Sequence, residues 1–250
     1  MNQDLHLLLT QLHLKGMAHA IDHELQRAEK EAAPVSEVIH RLLIQEQLYR
    51  QERSQTYRLK QARIPWDWTL KTFPFDQQPG VSKAQIQQLA GLSFLERKEN
   101  IVFIGNPGTG KSGLAIGLLR QALLSGYRGR FYHAQDLIDD LYASLADRTT
   151  PKLINHLCRY DLLIIDELGY LTLKPEQINA FFKLIGERYG RKSTLITTNL
   201  DYPEWYDLFQ RKTLVDALVD RLKHHCITIR INGPSLRAPS HAKAKTKSKS

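Results

Sequence analysis

Cysteine is scarce: only Cys158 and Cys226 occur in 250 residues. Two cysteines cannot build a disulfide framework, and their spacing matches no zinc-ligand pattern. A reducing, cytoplasmic setting is the simplest expectation. Long apolar runs are missing as well. The longest, counting glycine, covers residues 113–119, far short of the ~20 residues of a membrane span. No membrane role is expected. The first leucines are interrupted by Asp4 and several histidines and lack a cationic start, unlike a secretory signal. Glycine and proline are almost absent from residues 1–63, which hold only Gly16 and Pro34. That shortage excludes a turn-rich start and predicts helix. No internal repeat is present.

Charge is not balanced. Lys and Arg number 35 and Asp and Glu 26, a formal net charge of +9. The last 13 residues, 238–250, hold four Lys and no acid, and without them the excess is +5. The segment reads as a disordered tail. A basic excess fits contact with nucleic-acid phosphates, and it equally serves solubility. Hydrophobic residues at 42% and charged residues at 24% are those of a globular chain that can build a core.

Leu5, Leu8, Leu9 and Leu12 recur at helical spacing, and Ala20, Ile21, Leu25 and Ala28 continue the pattern beyond Gly16. After Pro34, Ser36 is the expected N-cap of a helix carrying Val38, Ile39, Leu42, Leu43 and Tyr49 and running towards Arg63. Residues 1–63 are thus expected to form a helical N-terminal domain. Residues 64–81, with Trp66, Trp68 and several prolines, read as a packed linker. From 82 to 237 short apolar strands (101–104, 130–133, 162–165, 195–198 and 227–231) alternate with helical patterns. Continuously apolar strands between helices predict an α/β fold with a buried parallel sheet.

The chemistry is concentrated at 105–112: Gly105, Asn106, Pro107, Gly108, Thr109, Gly110, Lys111 and Ser112. Gly, four residues, then Gly-Lys-Ser is the phosphate-binding loop pattern. Its glycines let the backbone approach phosphate oxygens, and its amides form an anion nest at a helix N-terminus. Lys111 can neutralise the β and γ phosphates of ATP, and the Ser112 hydroxyl can ligate Mg²⁺. The strand 162–165 runs into Asp166 and Glu167. Burying a strand that ends in two acids is costly unless the acids have work. An Asp so placed, 54 residues after Ser112, serves Mg²⁺ in phosphate-loop enzymes, and Glu167 can polarise the attacking water. The strand 195–198 ends at Asn199, which can hold that water or touch the γ-phosphate.

In this order the three elements resemble the AAA+ (P-loop) ATPases. With Asp166-Glu167-Leu168-Gly169-Tyr170, Thr197-Thr198-Asn199-Leu200 and residues 220–226, they resemble the IstB family. Its members are helper ATPases of bacterial insertion sequences and relatives of the DnaC helicase loader. Phe73-Pro-Phe-Asp and residues 89–100 share the likeness, which spans about residues 1–237. The resemblance implies a three-layer P-loop AAA+ fold. It gives Arg221 the part of an arginine reaching a neighbouring subunit's γ-phosphate, and Arg237 that of a nucleotide sensor within the subunit. The family's usual Tyr before the sensor is Leu236 here. Residues 135–158 resemble an insert that assembles spiral oligomers and contacts nucleic acid in initiator-type members.

The expected function is therefore an ATP- and Mg²⁺-dependent regulator of transposition. It would form homo-oligomers on duplex DNA and assist a separate transposase in target selection. Arg50, Arg53, Arg58, Lys60 and Arg63 are candidate phosphate contacts, as are Arg188, Arg191 and Lys192. Basic helix ends are more often simply solvated, and it is the resemblance that favours DNA for the first group. The rivals are a helicase loader, an ATP-gated DNA scaffold and a small-molecule phosphotransferase. Glu167 and Asn199 suit water activation and disfavour the last.

Overall fold

The computed structural model describes residues 2–169, 171, 173–209 and 212–237, except the side chains of residues 2, 218 and 221–224. The expected tail, 238–250, lies outside the described residues, as does the side chain of Arg221. Two compact units are present, 1–58 and 59–250.

The first unit is helical, with α1 (Asn2–Gln11), α2 (Lys15–Glu31) and the first part of α3 (Val35–Gln61). The pattern expected to continue through Gly16 is broken just before it, where His13 takes φ 58°. Gly16 is a contact point. A β-carbon there would come within 2.7 Å of the Gln45 carbonyl, Glu46 Cα and Tyr49 Cβ. Glu46 then reaches from α3 to the open first turn of α2, accepting from the Gly16 and Met17 amides at 2.7 and 3.2 Å. It thereby satisfies amides that have no partner within their own helix. Ser36 is not the N-cap of α3. The helix starts at Val35, and the Pro34 carbonyl accepts from the Glu37 and Val38 amides. Proline fixes its own φ and needs no amide partner, so it suits such a start.

The second unit is a five-stranded, wholly parallel sheet, ordered β2 (Gly129–His133), β3 (Leu162–Asp166), β4 (Ser193–Thr198), β1 (Asn100–Gly105), β5 (Cys226–Ile231). Successive side chains on a strand point to opposite faces, and both faces here are apolar. Ile101, Phe103, Leu162, Ile164 and Leu195 meet α4 (Lys83–Ala90), α5 (Ser93–Glu96) and α6 (Lys111–Leu124) in one core. Val102, Ile104, Leu163, Ile165 and Ile196 meet the opposite layer in another. That layer comprises α7 (Ala134–Ala146), α8 (Thr150–Leu157), α9 (Pro175–Arg188), α10 (Trp205–Phe209) and α11 (Lys212–His224). Two apolar cores share one sheet, which is the buried parallel sheet expected from the uninterrupted apolar strands and the three-layer arrangement implied by the resemblance. The exposed edge of β2 is covered by the chain leaving α3. The Phe131 amide donates to the Ala62 carbonyl at 2.9 Å and Arg130 to the Gln61 carbonyl at 2.7 Å.

Arg188 needs correction as a surface cation. It is 1% exposed and ties the end of α9 to its surroundings. Its guanidinium donates to the Leu157, Tyr160 and Ser193 carbonyls and to Thr194 Oγ1, at 2.5–3.0 Å. Burial lowers its pKa to about 10, so it stays charged near neutral pH. Arg188→Met would strand those acceptors in the core. At about 1–3 kcal/mol per buried group left unpaired, the variant should lose about 3 kcal/mol or more of stability in urea unfolding.

Candidate functional site

The phosphate loop, the two acids and Asn199 stand at the ends of β1, β3 and β4, and β4 lies between the other two in the sheet. All three strands are parallel, so these groups gather at one carboxyl edge, where open α/β sheets bind ligands. The phosphate loop runs from Gly105 into α6. Gly108 and Gly110 have φ of 82° and 91°, a region costly for any residue with a β-carbon. Lys111 is 9% exposed and donates to the Gly105 and Asn106 carbonyls at 2.7 and 2.8 Å. Burial pulls its pKa down, while Asp166 and Glu167 push it up.

Asp166 is fully buried. Its Oδ1 accepts from the Thr197 hydroxyl at 2.5 Å. Its Oδ2 is buried without a hydrogen-bond partner, with His133 Nδ1 3.9 Å away. Burial raises the Asp166 pKa, opposed by the Thr197 and Ser112 hydroxyls. A buried carboxylate oxygen left unpaired is expensive. Together with the Ser112 hydroxyl it is the hard oxygen donor set that Mg²⁺ takes, usually with retained waters. The residues fit the ion.

Glu167 is exposed and lines the cavity in front of the loop. Its φ of 62° is a left-handed conformation unusual for a residue with a side chain. The Glu167 amide donates to Thr197 Oγ1 at 2.9 Å. One threonine thus fixes both acids, a role the sequence reading did not assign. Asn199 lines the same cavity, and its Oδ1 is buried without a partner. It approaches so closely that a β-carbon on Gly169 would lie 2.4 Å from that oxygen.

The cavity holds about 450 Å³, within the usual size of ligand sites. It gathers Pro107, Gly108, Gly110, Lys111, Ser112, Glu167, Asn199 and Arg237. Its remaining wall comes from the linker: Trp66, Trp68, Thr69, Thr72, Phe73 and Pro74. The sequence favours packing of the two tryptophans onto the ATPase core over stacking on bases. They stack on each other at 5.0 Å and each is 42% exposed. A signal for the packing was available. Gly110, Gly113 and Gly117 leave one stripe of α6 bare, where β-carbons would strike Phe73, Trp68 and Leu70.

Arg221 falls in α11, and its side chain lies outside the described residues. The basic candidates are dispersed. Arg50, Arg53, Lys60 and Arg63 are exposed. Arg50 pairs with Glu46 at 2.6 Å, Arg53 lies over the Tyr49 ring, and Arg58 donates to Ser54 at 2.5 Å. Arg191 pairs with Glu187 at 3.2 Å and Lys192 with Asp161 at 2.5 Å. Arg188, buried, leaves this set.

Residues 7–244 match the family model described as IstB-like ATP binding protein. A Pseudomonas aeruginosa protein named for insertion sequence IS21 and for ATP binding is 36% identical over 241 residues. That match spans 96% of this chain and 91% of the relative. A Geobacillus stearothermophilus counterpart named for IS5376 is 35% identical, spanning 95% and 94%. Among solved structures, the DnaC helicase loader superposes with a TM-score of 0.55 at 26% identity, over 66% of this chain and 97% of that one. AMPPCP-bound DnaA from Aquifex aeolicus gives 0.55 at 22% identity, over 68% of this chain and 51% of that one, a likeness of fold. With the phosphate loop, the buried aspartate and the parallel sheet in place, the chain belongs to the IstB-like ATP-binding family of AAA+ proteins.

Proposed function

We propose that the protein is a Mg²⁺-dependent ATPase that assembles on duplex DNA and assists a separate transposase in choosing its target. The observation that carries the ATPase reading is the buried Asp166 with its unpaired oxygen, next in sequence to Glu167, which lines one cavity with Lys111, Ser112 and Asn199. The relatives' association with insertion sequences supports the transposition setting.

Residues 105–112 bind the triphosphate through loop amides and Lys111. Ser112 and Asp166 hold Mg²⁺, which when bound supplies charge neutralisation at the phosphates. Glu167 accepts a proton from the attacking water, and Asn199 orients that water. Arg237 reads the nucleotide within the subunit and Arg221 completes the site of a neighbour, so turnover needs an oligomer. Catalysis is positioning and electrostatic stabilisation. Duplex DNA is held by basic side chains, with Arg50, Arg53, Arg58, Lys60 and Arg63 the leading set and Arg191 and Lys192 secondary.

Electron microscopy of the full chain with ATP and duplex DNA tests assembly. Rings or spirals on the duplex are expected, and isolated monomers would contradict the proposal. The DnaC likeness keeps a helicase loader as the second reading. Capture of a replicative helicase rather than a transposase would favour it.

The nucleoside end of ATP lies against the Trp66–Trp68 wall. Trp205, the third tryptophan, is fully buried. ATP should therefore change tryptophan emission, and Trp68→Leu should remove most of the change. An unaltered response in Trp68→Leu would place the nucleoside elsewhere.

A further inference from the structure

Gln78 lies outside every motif, yet its side chain is completely buried. Its Nε2 donates to the Thr109 carbonyl of the phosphate loop at 3.0 Å and to the Pro234 carbonyl at 3.0 Å. Those acceptors are far apart in sequence, and no other described side chain bridges the two segments by hydrogen bonds. The strap 233–237 touches the loop directly as well. The Leu236 amide donates to the Gly108 carbonyl at 2.8 Å, and a β-carbon on Gly108 would strike Ser235 Oγ.

The amide is held at a cost. Its Oε1 is buried without a partner, a loss an apolar side chain would avoid. Gly233 makes room for it, since a β-carbon there would overlap Oε1. The turn carrying Gln78 is itself braced. Its amide donates to Phe75, its carbonyl accepts from Val81, and Gly80 sits against Asn232. The braced turn thus aims one donor at two segments, the phosphate loop and the strap that ends in Arg237.

We propose that Gln78 is a positioning residue that pins the 233–237 strap to the phosphate loop, so that ATP binding at the loop orders the strap without needing a contact from Arg237. The inference rests on the cavity being the ATP site.

The test is hydrogen exchange at the amides of residues 233 and 235–237, with and without Mg²⁺-ATP, at saturating nucleotide. In Arg237→Ala, which removes the arginine's own contact with nucleotide, ATP should still slow exchange by about tenfold, a shift readable as local stabilisation. In Arg237→Ala with Gln78→Met the slowing should disappear while the loop amides remain protected. Persistent slowing in the double variant would overturn the inference, as would no slowing in Arg237→Ala alone. If Gln78→Met does not fold, Gly233→Ala in the Arg237→Ala background replaces it, since its β-carbon would displace the Gln78 amide, and the same loss of slowing is expected. A wild-type chain that binds ATP no better than Lys111→Ala would instead overturn the site assignment.

Discussion

Lys111→Ala should weaken ATP binding by about 100-fold in calorimetric titration, a loss of about 3 kcal/mol. Lys111 is nearly buried, with its ammonium held on the Gly105 and Asn106 carbonyls. Transfer of that ammonium to phosphate oxygens exchanges neutral acceptors for charged ones, and charge-assisted hydrogen bonds are about twice as strong. Burial lowers its pKa while Asp166 and Glu167 oppose that shift, and an anionic ligand would act in the same direction as the two acids. Removing it leaves the loop amides and Arg237 facing the triphosphate alone. Undiminished affinity in this variant would refute the loop as the nucleotide site.

Glu167→Gln should bind ATP normally and lose turnover by about 10²–10⁴-fold, the usual contribution of a positioned general base. Glu167 is exposed and faces the cavity, and the Thr197 hydroxyl holds its amide in a left-handed turn. Glutamine keeps the size and the turn but cannot accept the proton. Protein isolated with Mg²⁺-ATP should therefore retain triphosphate where the wild type retains diphosphate. Turnover at the wild-type rate would move the base elsewhere. If the trapped variant held duplex DNA more tightly than the wild type, ATP-gated assembly would be supported.

Much of this was legible because buried parallel strands cannot hide. Their uninterrupted apolar runs set them apart from amphipathic helices, and a polar residue at the end of such a run must sit at the sheet edge. Asp166, Glu167 and Asn199 follow from that logic, and Lys111 from the phosphate-loop pattern after the first such strand. The linker wall did not, because Trp68 and Phe73 reach the site through packing against the start of α6 and Trp66 by stacking on Trp68, and their own sequence has no period. Gln78 left no trace at all: its partners lie 31 and 156 residues away. Arg188 was misassigned although a signal existed. It falls seven residues after Phe181 and on the stripe of Leu184 and Ile185, which face the core. Its charge favours the surface and its period the core, and three carbonyls and a hydroxyl make burial of the cation tolerable.

The most direct measurement is phosphate release from Mg²⁺-ATP by the full chain with duplex DNA, beside Lys111→Ala under the same conditions. The account predicts saturable release from the wild type that falls to background in the variant and on chelation of the metal. Release that is equal in both proteins, or absent from the wild type, would contradict it.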